Sequence, residues 1–377
     1  MDASGEQNPK CPPGKDTHPE PVVPKPPLAE ERPPAPSAFS KKRAVRWTAL
    51  FLLLCPLALG GWLALYSLRS GPAHEEKYAI VRIPPATRTK DIGQILAKAG
   101  LIHDDIRFLL LTKYLGLAGK LPAGEYRLTL GQRPGDVLRQ LATAKQVEYA
   151  VTIPEGLRIE EVADIFAAGA WCDRDHFIAL AHDPEFIQSL GLKSVSSLEG
   201  YLYPDTYYLT KDLRDTKSLV AMQVNRFLKI WAGLDNNAKQ PMNRHDIITL
   251  ASVVEKETGD AAERPMIASV FFNRLKTGMR LQSDPTVIYG LKDFSGYLTR
   301  TDLRTDHPYN TYVIPALPAG PICNPGQKAI EAVLHPASTD FFYFVSRNNG
   351  THQFSKNLSE HNQAVHEYRQ GEKTKEK

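Results

Sequence analysis

The chain has 377 residues, 42% of them apolar, and a formal net charge of +4. That is material for one or two hydrophobic cores, which excludes a wholly unstructured chain. So small a positive excess, with no basic stripe interleaved with aromatics, argues against a nucleic-acid partner. The N-terminal stretch is crowded with proline from Pro9 to Pro36 and has almost no large apolar side chains. Ordering it would cost entropy that no burial offsets, so residues 1–46 are expected to be a disordered tail. Polyproline II structure or a weak docking motif is the other reading of that composition.

Lys41, Lys42, Arg43 and Arg46 precede an uncharged apolar run from Trp47 to Leu68. About twenty apolar residues match the hydrocarbon thickness of a bilayer, so 47–68 is read as a single transmembrane helix. The basic cluster on its N-terminal side places the tail in the cytoplasm. Everything after residue 69 then lies across the cell inner membrane, in the periplasm. A cleaved signal peptide is the rival, but the basic region lies deep in the chain and the apolar run is long. Of the four cysteines, Cys11 is in the tail and Cys55 in the apolar run, and no CxxC is present. No HExxH, P-loop or dinucleotide fingerprint occurs either, so neither metal nor cofactor is expected.

Beyond a polar linker at 69–77, "YAIVRIPP" reads as a strand ended by proline. Asp91–Ala99 reads as a helix with Ile92, Ile95 and Leu96 on one face and Gly100 at its stop. A second apolar helix at Ile106–Tyr114, a strand within "LPAGEYRLTLG" and a short helix at Pro134–Ala142 follow. About seventy residues on, "VTIPEGLRIEEVADIF" repeats the pattern of "VRIPPATRTKDIGQIL". A small α+β unit is therefore used twice, by duplication or by shared packing rules. The segment "EGYLYPDTYYL" (199–209) is rich in tyrosine and carboxylates; it suits a sugar-stacking groove or a rigid core loop.

Leu219–Trp231 is helical by pattern. "NRHDIITLASVVEKET" is a second helix with Asn243 as N-cap, and "AERPMIASVFFNRLKTG" a third with Pro265 in its first turn and Gly278 as its stop. Glu263 is placed to cap that third helix. Residues 326–334 read as a short helix, "FFYFVS" (341–346) as a buried strand and Leu358–Tyr368 as a terminal helix. Residues 371–377 are a charged, frayed end.

The chemistry concentrates at "VVEKET". Glu255 directly follows apolar Val253 and Val254, so partial desolvation should raise its pKa toward that of a usable general acid. Glu257 lies two residues on and points to the other side of the helix, so only one of the two can face a given cleft. Lys256 and Arg264 are candidate charge partners. Asn273, set among Phe271, Phe272 and Leu275, needs a polar partner, either a loop or a ligand. Polar turns at Gln282-Ser283-Asp284, Tyr309–Tyr312 and 320–326 suit a polysaccharide groove or ordinary loop packing.

With those residues in place, the chain resembles the YceG-like endolytic murein transglycosylase family. The resemblance is carried in order by "EGYLYPDTY" (199–207), "LASVVEKET" (250–258), "ERPMIASVFFNRL" (263–275), "GMRLQSDPTVIYG" (278–290), "YNTY" (309–312), "LPAGPICNPG" (317–326), "HP" (335–336) and "YFVS" (343–346). It implies an α+β fold: the transmembrane helix, a LysM-like module at 78–145, and a mixed α/β catalytic domain at 146–370 with helices that carry the catalytic glutamate. It implies a lyase that cuts the N-acetylmuramic acid–N-acetylglucosamine β-1,4 bond inside nascent glycan strands and leaves 1,6-anhydro ends, terminating strand growth. Glu255 matches the family's catalytic glutamate, with Glu257 as the alternative. Glu257, Asn273, Gln282, Asp284, Tyr309, Asn310 and Asn324 match substrate-positioning motifs. The implied partners are peptidoglycan glycan strands, peptidoglycan synthases and divisome or elongasome proteins. The rivals are a non-catalytic peptidoglycan-binding scaffold, a hydrolase in which Asp284 supplies a second carboxylate, and a tethered domain that binds protein through an apolar patch.

Overall fold

The computed structural model describes residues 38–72, 74–213, 215–234 and 242–375, so the proline-rich tail expected at 1–46 lies outside the described residues as far as residue 37. These residues form two units, one ending at Ala64 and one beginning at Leu65. The first unit is most of α1 (Ala38–Leu68), a continuous helix that contains Pro56. Its stretch Val45–Leu68 is 24 residues long with mean hydropathy 2.1, and its described side chains from Val45 to Leu65 are almost all exposed. The helix starts well before Trp47 because alanine, lysine and arginine between 38 and 46 are good helix formers.

The second unit is a mixed α/β assembly. It opens with β1 (Tyr78–Ile83), α2 (Thr89–Lys98), α3 (Arg107–Tyr114) and β2 (Gly124–Thr129). β1 and β2 pair antiparallel, from Tyr78 opposite Thr129 to Ile83 opposite Gly124. Alternation puts Val81 and Ile83 inward, onto Ile92, Leu96, Phe108 and Leu128, all buried. α4 (Pro134–Thr143) adds Val137, Leu138 and Leu141 to this small core.

The second copy of the repeat is β3 (Tyr149–Thr152), α5 (Ile159–Ala168), α6 (Arg174–Ala181), a further short α7 (Pro184–Ser189) and β4 (Thr206–Leu209). β3 and β4 again pair antiparallel, so the likeness seen in the sequence extends to strand order and closure. The tyrosine-rich segment turns out to be core: Tyr201, Tyr203 and Tyr207 are buried and only Tyr208 is well exposed. The rings meet apolar neighbours from α8 (Thr216–Gly233), with Tyr201 edge-on to Phe227 at 5.0 Å.

α9 (Arg244–Glu257) runs through the centre of the larger core, and Ile247 to Val254 are all buried. Asn243 caps it, its side chain accepting the Asp246 N–H at 3.0 Å. α10 (Arg264–Lys276) and α12 (Gln327–Leu334) pack on it, with α11 (Asp284–Gly290) at its C-terminal end. α11 begins inside the expected polar turn; its seven residues are too few to show helical periodicity.

Three expectations are corrected near the C-terminus. "FFYFVS" contributes β5 (Tyr343–Ser346), which is half-buried, in a hairpin with β6 (His352–Ser355). One face of that hairpin lies on α10, where Phe344 meets Phe271 edge-on at 5.9 Å. Glu263 does not cap α10: its carboxylate accepts the His352 backbone N–H at 2.8 Å and lies 2.7 Å from His352 Nδ1, pinning the hairpin. The terminal helix, α13, runs Leu358–Lys375, past the expected stop at Tyr368, because glutamine, glutamate and lysine there favour helix.

Phe271→Ala removes a fully buried ring between α9 and the hairpin. It should lower unfolding free energy by about 3–5 kcal/mol, read as a lower urea midpoint for the full-length protein in detergent.

Candidate active site

The C-terminal turn of α9 delivers two carboxylates to two different surroundings. Glu255 faces α10 and the loop before α12. Arg264 Nη2 donates to its Oε1 at 2.7 Å, and Gly326 N–H donates to its Oε2 at 3.0 Å. Both side chains of this ion pair are nearly inaccessible, at 7% and 6% exposure. Burial pushes the Glu255 carboxyl up, while the Gly326 N–H and the Arg264 guanidinium pull it back. The expected upward direction and the charge partner are therefore both present. The ion pair and the Gly326 hydrogen bond, however, each occupy one oxygen of Glu255.

Glu257 is the last residue of α9 and faces the other way, as i,i+2 spacing dictates. Its Oε1 accepts from the Ser283 hydroxyl in a short hydrogen bond. Burial pushes its carboxyl up to about 7, opposed by the Ser283 hydrogen bond and the nearby Arg274, and reinforced by the charge of Asp284. A helix C-terminus also disfavours a negative charge. Arg274 does not pair with Glu257; its guanidinium donates to the carbonyls of Phe342 at 2.7 Å and Leu281 at 2.5 Å.

The segment facing Glu257 breaks two local rules. Ser283 holds the N-cap position of α11, yet its hydroxyl makes no cap bond and goes to Glu257 instead. Gln282 has φ +48, a left-handed conformation that a side-chain-bearing residue adopts at a cost of about 1–2 kcal/mol. Departures of this kind gather at functional sites. The segment is held by Thr311, which accepts the Ser283 N–H at 3.0 Å and shares a hydrogen bond with Thr286 at 2.8 Å. The Gln282 side chain is exposed. Asp284, also exposed, accepts from Tyr312 OH at 2.6 Å.

Glu257, Gln282, Asp284 and Tyr312 thus gather on one side of the α9 end. The three expected asparagines do not join them. Asn273 donates to the Thr339 and Phe341 carbonyls, at 3.0 and 2.9 Å. Asn310 donates to the Asp302 and Thr305 carbonyls, at 3.1 and 2.8 Å. Asn324 is fully buried; it accepts the Leu202 N–H at 2.9 Å and donates to the Leu157 carbonyl at 2.9 Å and to Glu199 at 3.2 Å. All three tie loops together. Tyr309 packs its ring on Tyr289 at 4.7 Å and is half-buried. Ser283 and Tyr312 join this group although neither was among the expected site residues; both lie in the polar turns that the sequence singles out.

Glu199 is a third carboxyl, 3% exposed, with partners of its own. Tyr289 OH donates to it at 3.2 Å, Asn324 at 3.2 Å and Ile159 N–H at 3.4 Å. Burial raises it to about 8, so at neutral pH it is mostly a neutral acid, knotting the β3–α5 turn, α11 and the 322–326 loop.

A model of the YceG-like family matches residues 81–367. A Bacillus subtilis protein named endolytic murein transglycosylase is 33% identical over 305 residues, covering 76% of this chain and 84% of its own length. A Streptococcus pneumoniae protein of the same name is 29% identical over 356 residues, and the match covers 85% of this chain but 64% of that longer relative. The crystal structure of a yceG-like protein from Listeria monocytogenes aligns with TM-score 0.53 and 34% identity, covering 76% of this chain and 98% of that one.

The buried Glu199 makes stability depend on pH. Its folded value lies above the unfolded one, so its contribution is complete below about pH 4.5 and is lost as pH rises through about 8. The melting temperature should fall across that window, and Glu199→Gln should flatten the slope; superimposable slopes would contradict the assignment.

Proposed function

The chain belongs to the YceG-like family, and from that premise we propose that it is a membrane-anchored endolytic transglycosylase of peptidoglycan whose acid–base is Glu257. The observation that carries the reading is Glu257 itself: a carboxyl at the end of a buried helix, held by one hydroxyl and raised to about 7. An acid of that strength is half protonated near neutral pH and can both give and take a proton. Glu255, the residue first expected in this role, is locked in an ion pair and a backbone hydrogen bond. It serves to hold α9, α10 and the Gly326 loop together.

In the proposed reaction, protonated Glu257 gives its proton to the oxygen that links C1 of N-acetylmuramic acid to the next sugar, and the C1–O bond breaks. The resulting carboxylate takes the proton of the C6 hydroxyl as O6 bonds to C1. The products are a 1,6-anhydro end and a new free hydroxyl, with no water consumed and Glu257 reprotonated. One carboxyl does both transfers, so the paired-carboxylate plan of most glycosidases is not needed. Gln282, Asp284 and Tyr312 line the same side and would position the sugars, with Ser283 holding Glu257 in place.

The rest of the chain supports this reading. Lys41, Lys42, Arg43 and Arg46 lie on the N-terminal side of the apolar span, which orients the folded domain to the extracytoplasmic side. There it meets nascent strands and the synthases and division or elongation proteins that act on them. The β1–α2–α3–β2 unit has the strand–helix–helix–strand order of a LysM-like module. A groove of about 200 Å³ between its β1–α2 turn and the segment before β2, lined by Pro84, Thr87, Thr89, Gly119 and Leu121, is a fitting glycan grip.

Digestion of uncrosslinked glycan strands with the purified protein, followed by mass spectrometry, tests the reading. Internal fragments ending in 1,6-anhydromuramic acid are expected. Reducing muramic ends would mean that water attacks, with Asp284 as the second carboxylate, and intact strands would leave a binding scaffold. Because the first step needs the protonated acid, kcat/KM should fall about tenfold per pH unit above about pH 7.

A further inference from the structure

A second recess adjoins the site. It has a volume of about 540 Å³ and is lined by Arg158, Glu160, Glu161, Lys256, Pro285 and Ile288. It is built on the same two helices as the site: Lys256 lies between Glu255 and Glu257 on α9, and Pro285 follows Asp284 on α11. The volume is in the range of sites that hold a small ligand.

It carries two cations and two carboxylates. The Arg158 guanidinium lies 4.9 Å over the Tyr289 ring, and Lys256 Nζ donates to the Gly156 carbonyl at 3.2 Å. Neither is ion-paired to a carboxylate among the described residues. An ammonium has three N–H groups, so two remain for a ligand. A guanidinium fixed by stacking loses little freedom on binding a carboxylate and can meet it with two parallel N–H bonds. Glu160 and Glu161 start α5 on the same recess, with Glu161 Oε2 accepting the Arg158 backbone N–H at 2.8 Å. Pro285 and Ile288 add an apolar wall. The complement of this surface is a short peptide bearing carboxylates, an amine and small apolar side chains.

Resting on the transglycosylase reading above, we propose that this recess holds the peptide stem carried by the muramic acid at the cleavage site, with Arg158 and Lys256 on its carboxylates. The stem branches from the sugar being cut, so its recess must lie near the acid, and this one is built on α9, which ends in Glu257, and on α11, whose N-cap Ser283 bonds to Glu257. Binding there draws the scissile sugar toward Glu257 and makes the enzyme prefer strands that still carry stems.

The test compares kcat and KM of the full-length protein on uncrosslinked strands with stems and on the same strands stripped by an amidase. Wild type should favour stem-bearing strands at least tenfold, mainly through KM. Arg158→Ala and Lys256→Ala should each reduce that preference about tenfold, and Arg158→Lys should restore part of it. Stripped strands report on folding in every variant. Cleavage of both substrates with equal kcat/KM, or an unchanged preference in both alanine variants, overturns the proposal alone. Cleavage of neither substrate by wild type overturns the transglycosylase reading and this proposal with it.

Discussion

Arg264 donates to Glu255 at 2.7 Å in the space between α9 and α10, and that ion pair sorts the two carboxylates at the end of α9. A buried carboxylate without a cation is costly, so one acid of the pair must be neutralised for the helix to pack. Once Arg264 and the Gly326 N–H hold Glu255, its charge is compensated and its oxygens are occupied. Glu257 turns the other way, receives only the Ser283 hydroxyl and stays close to half protonated at neutral pH. Two residues of the same type, two positions apart, are thereby given different surroundings.

The scaffold around them keeps this division fixed. α9 is apolar and buried over two turns, so its end cannot shift without opening the core. Glu199 and Asn324 bind the 322–326 loop to the β3–α5 turn, and Gly156 N–H donates to the Asn324 carbonyl at 2.9 Å. That places the Gly326 N–H against Glu255. Gly200 is needed nearby, because a methyl there would come within 2.8 Å of Ile248 on α9. The polar residues of this knot position the site from behind and do not line it.

Much of the fold was legible in the chain. Asn243, Pro265 and Gly278 marked helix ends through chemistry that depends only on neighbours, and the repeat at Val81 and Val151 announced a unit that recurs in the structure. The parts that stayed hidden depend on distant partners. "HQFS" has no apolar alternation, so β6 shows itself only as the mate of β5. Asn273, Asn310 and Asn324 needed hydrogen-bond partners, and the chain alone does not say whether a loop or a sugar supplies them. The carboxylate pair was found from its apolar approach, and the helix angle said that the two face apart. Which side held the cation was a fact about Arg264, across the loop between α9 and α10.

The most direct measurement is single-turnover cleavage of uncrosslinked glycan strands by Glu257→Gln and Glu255→Gln, each with its melting temperature. Glu257→Gln should fold normally and lose about 10²–10⁴-fold in rate. Glu255→Gln should melt at a lower temperature yet still cleave wherever it is folded. A folded but inactive Glu255→Gln, beside a Glu257→Gln that cleaves at the wild-type rate, would contradict the assignment of the acid.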